Sequence, residues 1–219
     1  MVFRAVLFDL DGTLLDTLRD IADSVNAGLA SLGLPKHEIK AYRYFVGEGS
    51  EVLAFRALPE DHRDKDTVAR LVLKVNEEYS RRWADNTSAF PGVPDLLDRL
   101  ARNGVRAAVL SNKNQDFAEL TVSTFLGKWH FDRVVGAQPA VPKKPDPTAA
   151  LRIAEQMGIE PTGFLYLGDS GIDMKTAVAS GMYAVGALWG YRASEELLAN
   201  GAKALVKKPA YVLPLIERD

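Results

Sequence analysis

An apolar run, Val6-Leu7-Phe8, stops abruptly at Asp9-Leu10-Asp11-Gly12-Thr13. A short run of this kind, bounded by a glycine-containing turn, suits a central strand of a parallel sheet, buried on both faces. Such sheets bind ligands beyond the carboxyl ends of their strands, where Asp9 and Asp11 fall. One carboxylate there can attack phosphorus, and a second can donate and accept the protons that a leaving group and a water need. The same residues also fit a plain solvated turn, since Asp-Gly commonly marks turns. The motif alone leaves both readings open.

The rest of the chain decides between them. From Asp16 to about Ser88 the pattern is almost entirely helical. Leu18, Ile21, Val25, Leu29 and Leu32 recur every three or four positions, with Asp16 or Thr17 as cap and Gly33 as stop. After the break at Leu34-Pro35, helices are expected over Lys36–Phe45, Ser50–Leu58 and Asp61–Trp83. From Phe90-Pro91-Gly92 onward helix and strand alternate, as in a doubly wound sheet. Strands are expected at Val105–Leu110, Arg133–Val135, Phe164–Leu167 and Tyr183–Leu188, with Ala204–Val206 and a helix near Val212 in the tail. The simplest architecture is therefore an α/β core of residues 1–15 and 89–219 with a helical domain, 16–88, inserted after the first strand.

Polar residues close each expected strand, and this places a site. The second strand ends in Ser111-Asn112-Lys113, the loop after the third holds Lys143-Lys144-Pro145-Asp146-Pro147, and the fourth ends in Gly168-Asp169-Ser170-Gly171-Ile172-Asp173. In a parallel sheet these ends lie side by side, gathering Asp9, Asp11, Asp169 and Asp173 into one acidic cluster. Four converging carboxylates call for protonation or a hard divalent ion. Magnesium suits such a cluster, because it takes few carboxylates, several waters and phosphate oxygens. The absence of cysteine rules out disulfides and thiolate metal sites and favours a cytoplasmic setting. A net charge of −2 argues against a nucleic-acid partner. Without a signal-like start or a long apolar run, no membrane association is expected. The expected partner is a small phosphorylated metabolite, and the expected state a monomer or homodimer.

Asp9-Leu10-Asp11-Gly12-Thr13, Ser111-Asn112, Lys144-Pro145 and Gly168-Asp169-Ser170-x-x-Asp173 resemble, in order and context, the four motifs of the haloacid dehalogenase superfamily of phosphatases. The resemblance covers essentially the whole chain and implies a Rossmann-like core with a small helical cap. Val46-Gly47-Glu48-Gly49-Ser50, Leu53 and Arg56-Ala57-Leu58 are similar to the cap segment of phosphoglycolate phosphatases, as is Gly186-Ala187-Leu188-Trp189-Gly190-Tyr191-Arg192 to their core. Gly136-Ala137-Gln138-Pro139 departs from that subfamily, where a Gly-Gly-Asp type segment is expected. The resemblance implies an aspartyl phosphate formed on Asp9, with Asp11 as acid and base. Ser111, Asn112 and Lys144 are implied to hold the phosphoryl oxygens, and Thr13 to support Asp11. The metal is implied on the Asp9 carboxylate, the Asp11 carbonyl and Asp169, with Asp173 a ligand or an orienting residue. The Gly47-Glu48-Gly49 loop is implied to meet the organic part of the substrate, 2-phosphoglycolate being foremost.

Competing motifs fall away. Gly47-Glu48-Gly49 lacks the preceding strand and third glycine of a dinucleotide fingerprint, and Gly168-Asp169-Ser170-Gly171 has no triad context. His37, His62 and His130 read as packing or surface residues. Two other functions fit the same residues: a phosphosugar mutase resembling β-phosphoglucomutase, which would return the phosphoryl group to a sugar, and a receiver-like signalling module. A switch has little use for the second acid at Asp11.

Overall fold

The computed structural model describes residues 3–216. Strand β1 (Ala5–Phe8) leads through β2 (Leu15–Asp16) into α1 (Leu18–Ser31), α2 (Tyr42–Phe45), α3 (Ser50–Ala57) and α4 (Lys65–Arg82). The chain returns by β3 (Ser88–Ala89) to α5 (Val93–Arg102), β4 (Arg106–Asn114), α6 (Gln115–Leu126), β5 (Arg133–Ala137) and α7 (Thr148–Met157). It then runs through β6 (Phe164–Gly168), α8 (Gly171–Ala179), β7 (Tyr183–Ala187), α9 (Ser194–Ala199), β8 (Ala204–Val206) and α10 (Leu213–Ile216). Asp16–Ser88 form one compact unit, and the described residues on either side of that segment form the other.

In the larger unit six parallel strands lie in the order β5-β4-β1-β6-β7-β8. Every residue of β1 is buried, and its side chains alternate between two cores. Val6 and Phe8 pack with Leu96, Leu97 and Leu100 of α5 and Val122 and Leu126 of α6. Ala5 and Leu7 pack with Ile153 and Met157 of α7 and Met174 of α8 on the opposite face. Helices on both faces explain why the strand reads as a continuous apolar run instead of an alternating one. From β1 the chain moves toward β4, and from β6 toward β7. The sheet therefore changes winding direction between β1 and β6, and a crevice opens beyond their carboxyl ends.

In the smaller unit α1 packs along α4. Gly28 permits the close approach, since a Cβ there would meet Leu71 Cδ1 at 3.1 Å. Helix α4 starts at Lys65 instead of near Asp61 because the Asp64 carboxylate accepts from the Asp66 and Thr67 amides at 3.0 and 2.9 Å, a normal N-cap. The helix expected over Lys36–Phe45 shrinks to a 3-10 turn, Ile39–Ala41, and the single turn of α2. The cause is Asn26 of α1. Its amide nitrogen donates to the His37 carbonyl and its oxygen accepts from the His37 amide, both at 2.9 Å, removing His37 from any helical ladder.

Asp20 was not singled out in the sequence, yet it organises this unit. Its buried carboxylate accepts hydrogen bonds from both the backbone and the side chain of Asn86 and Thr87, at 2.7–3.0 Å. The start of α1 is thereby tied to the end of the unit, next to the point where β2 and β3 pair as a two-stranded ribbon. Replacing Asp20 by alanine strands these donors and is expected to cost about 3 kcal/mol. Faster hydrogen exchange at the Asn86 and Thr87 amides, with core-strand amides unaffected, would register that loss.

Candidate active site

The acids at the end of β1 owe their placement to the backbone. The Asp9 amide donates to the Leu167 carbonyl at 2.9 Å, continuing the β1–β6 ladder one residue past the strand. The chain then turns sharply, with the Leu14 and Leu15 amides donating back to Leu10 and with Gly12 at φ 91°. Gly12 is required twice over. Its φ is left-handed, and a Cβ would fall 2.4 Å from Asp169 Oδ2. Gly190 closes on the other side, where a Cβ would fall 2.3 Å from that of Asp169.

Between these two glycines the Asp169 carboxylate accepts from the Tyr191 amide at 2.7 Å and the Thr13 hydroxyl at 3.3 Å. Trp189 Nε1 donates to the Thr13 carbonyl at 2.9 Å, so the 189–191 segment braces both the acidic turn and Asp169. Asp173 forms a capping box with Ser170 at the start of α8. Its Oδ2 accepts from the Ser170 amide and hydroxyl, and its Oδ1 from Tyr166 Oη at 3.4 Å.

Lys144 joins the strands. Its buried ammonium donates to Asp9 Oδ1 at 2.8 Å, Asp173 Oδ1 at 2.7 Å and the Leu110 carbonyl at 3.0 Å. The loop carrying it, with a cis Lys144–Pro145 peptide, is held by Asn112. The Asn112 side chain accepts from the Lys144 amide and donates to the Lys144 carbonyl, at 2.9 and 3.0 Å. Asn112, expected to contact phosphate, thus turns its amide to the backbone that positions Lys144. Ser111 is buried beside it and accepts from the Lys113 amide at 3.2 Å.

The carboxylates of Asp9, Asp169 and Asp173 each offer an oxygen within 4.8 Å of the others. Burial, followed by repulsion from Asp173, raises the Asp9 carboxyl well above its ordinary value despite Lys144. The same two causes lift Asp169 to about 7. For Lys144 burial works against the charge, but Asp173 and Asp9 outweigh it and hold the ammonium well above its ordinary value. Burial likewise raises the Tyr166 phenol. The group is an anionic, oxygen-lined nest partly neutralised by one lysine, with the donor set that a hard divalent cation takes.

Among the described residues, three of the four expected acids, Asp9, Asp169 and Asp173, fall within that group. The Asp11 carboxylate is occupied by Lys113, whose ammonium lies 3.0 and 3.3 Å from its two oxygens, both side chains largely buried. No role was assigned to Lys113 from the sequence, where the only signal is its place two residues beyond Ser111. The strand carrying it is also longer than expected. β4 runs to Asn114 through a register shift against β5, and Gly136 of β5 admits it, since a Cβ there would meet Lys113 O at 2.7 Å.

Gly47, Glu48 and Gly49 belong to the smaller unit. Gly47 and Gly49 have φ of 120° and 91°, and Glu48 pairs with Arg56, which also donates to the Tyr44 carbonyl at 3.3 Å. Of the three histidines, His37 is a packing residue, its Nε2 lying 2.7 Å from the Ala57 carbonyl and its ring edge-on to Tyr42 and Phe45. Among the described residues, no helix is long and apolar enough to cross a membrane.

Comparison with known proteins agrees with this geometry. A family model described as haloacid dehalogenase-like hydrolase matches residues 6–187. A phosphoglycolate phosphatase of Pseudomonas putida is 33% identical over 219 residues, covering 96% of this chain and 79% of its own. One from Xanthomonas campestris pv. campestris is 34% identical over 207 residues, covering 94% and 93%. A crystal structure from Lactobacillus delbrueckii subsp. bulgaricus, provisionally assigned as a phosphoglycolate phosphatase, superposes with a TM-score of 0.92 at 26% identity, covering 99% of each chain. The α/β sheet, the aspartates at its strand ends and these relatives agree: the chain belongs to the haloacid dehalogenase-like hydrolase family, as a phosphatase similar to phosphoglycolate phosphatases.

Proposed function

We propose that this phosphatase hydrolyses a small phosphomonoester in two steps through an aspartyl phosphate on Asp9, with 2-phosphoglycolate as substrate. The observation that carries the reading is Asp9 itself, a buried carboxylate at the sheet's winding reversal with one oxygen held by Lys144. The other oxygen attacks phosphorus as the ester P–O bond breaks. Asp11 gives its proton to the departing oxygen. A water then attacks the phosphoryl group and passes a proton to Asp11, releasing phosphate and restoring the Asp9 carboxylate. Ser111 donates to the phosphoryl oxygens, while Lys144 balances the charge of Asp9. Asn112 acts through the Lys144 loop and Thr13 through the acidic turn.

Magnesium suits the oxygen nest, with Asp9, Asp169 and the Asp11 carbonyl as donors and Asp173 orienting the group. It would offset the negative charge that an incoming phosphate brings. Asp169 supplies a test. A carboxyl lifted from 3.8 to about 7 on folding favours the fold when protonated, so this contribution is fully present below pH 3.8 and is lost as pH rises to about 7. Binding a cation demands the carboxylate. Magnesium titrated calorimetrically into metal-free protein is expected to release protons at pH 6, and almost none from this residue at pH 8.5. Equal release at both would remove Asp169 from the ligands.

The function is tested by phosphate release with and without magnesium from 2-phosphoglycolate, β-glucose 1-phosphate, pyrophosphate, nucleoside monophosphates and an aryl phosphate. A preference for 2-phosphoglycolate of at least tenfold in kcat/KM, about 1.4 kcal/mol of transition-state discrimination, is expected. Metal-dependent release spread evenly over the panel would retain the chemistry and reject the substrate. Return of the phosphoryl group to a sugar, without free phosphate, would mark a mutase.

A further inference from the structure

We infer that Lys113 determines specificity for a second anionic group on the substrate, exchanging its ion pair with Asp11 for one with a carboxylate one methylene beyond the ester oxygen. The inference rests on the phosphomonoesterase reading above and adds the feature that selects the ester. The Lys113 ammonium lies within 3.0–3.3 Å of both Asp11 oxygens. In that arrangement the acid is engaged on the atoms with which it must reach the leaving group. Productive binding therefore has to move Lys113 off at least one of them.

A substrate with an anionic tail can do this while keeping an anion against the largely buried ammonium, because the tail takes the place Asp11 gives up. A substrate with a neutral tail separates two opposite charges in a largely buried setting, and that is costly. Bond connectivity fixes the position. Asp11 must contact the bridging oxygen, and in 2-phosphoglycolate the carboxylate follows that oxygen after a single CH₂. A cation already touching Asp11 is therefore within reach of the carboxylate.

The neighbouring lysine is committed elsewhere. Lys144 places its three ammonium hydrogens on Asp9, Asp173 and the Leu110 carbonyl. Gly136 and the extended end of β4 hold the Lys113 backbone in the core unit, next to the acids.

The test compares 2-phosphoglycolate with 2-hydroxyethyl phosphate, which carries a neutral hydroxymethyl group where the former has its carboxylate, in the wild type, Lys113→Met and Lys113→Arg. Wild type is expected to prefer the anionic ester. In K113M the ratio of the two kcat/KM values is expected to fall at least about 30-fold, roughly 2 kcal/mol, chiefly through KM for 2-phosphoglycolate, and K113R is expected to recover much of it. The Ki of 3-phosphonopropionate, a non-hydrolysable analogue of the anionic ester, should rise in K113M far more than that of inorganic phosphate. Equal losses on both esters would overturn the inference and leave Lys113 as a positioning residue for Asp11, and unchanged ratios would overturn it outright. If wild type releases phosphate from neither ester under magnesium but does so from others in the panel, the substrate reading fails first. Thermal unfolding of each variant separates these outcomes from loss of fold.

Discussion

Replacing Asp9 by asparagine is expected to lower kcat by about 10⁴-fold or more while leaving the fold intact. The amide is nearly isosteric with the carboxylate but has no charge to deliver to phosphorus. Structure argues for tolerance of the change. The Asp9 carboxyl is raised well above its ordinary value by burial and by Asp173, so its charge is not a source of stability. In the variant Lys144 still donates to Asp173 and to the Leu110 carbonyl. Steady-state kinetics with thermal unfolding checks both halves. Retention of a tenth of the activity would remove Asp9 as the nucleophile.

Replacing Lys144 by methionine is expected to do the opposite to stability. It leaves the Asp9 and Asp173 carboxylates buried without the cation that both contact, a loss of about 3–5 kcal/mol. For a chain of this size that corresponds to a fall in Tm of roughly 6–20 °C. Activity should fall at least about 10³-fold, since the charge beside the nucleophile disappears. The destabilisation should ease as pH is lowered, because the Asp9 carboxyl, already raised by burial, takes up a proton and sheds its charge. Adding Asp173→Asn to the lysine variant should restore part of the Tm. A Tm within 2 °C of wild type at neutral pH, on the scale set by chain size, would mean the pair is better solvated than its burial implies.

What the sequence made legible, and what it did not, follows from range. β1 and β6 were readable because strands buried on both faces are continuously apolar, and the turns after them because carboxylates at strand ends are chemically conspicuous. Lys36–Phe45 misread as a helix because the competing partner, Asn26, lies eleven residues away on another helix. Asp20 was invisible for the same reason, its partners being more than sixty residues distant. At the site, residue types announced an acid cluster but not their pairing. Only the fold shows that Asn112 serves the Lys144 backbone and that Asp11 pairs with Lys113. The short helix α9 lay beyond sequence reading because six residues give too little periodicity to see.

The proposed mechanism passes phosphate through a covalent bond to Asp9. The direct measurement is to quench turnover of 2-phosphoglycolate within milliseconds, treat the protein with borohydride and map the product by peptide mass spectrometry. An acyl phosphate is reduced to the alcohol, so homoserine is expected at position 9, formed only when substrate and magnesium are both present and absent from the asparagine variant. Sustained turnover with an unmodified Asp9, or homoserine at Asp11 or Asp169 instead, would contradict it.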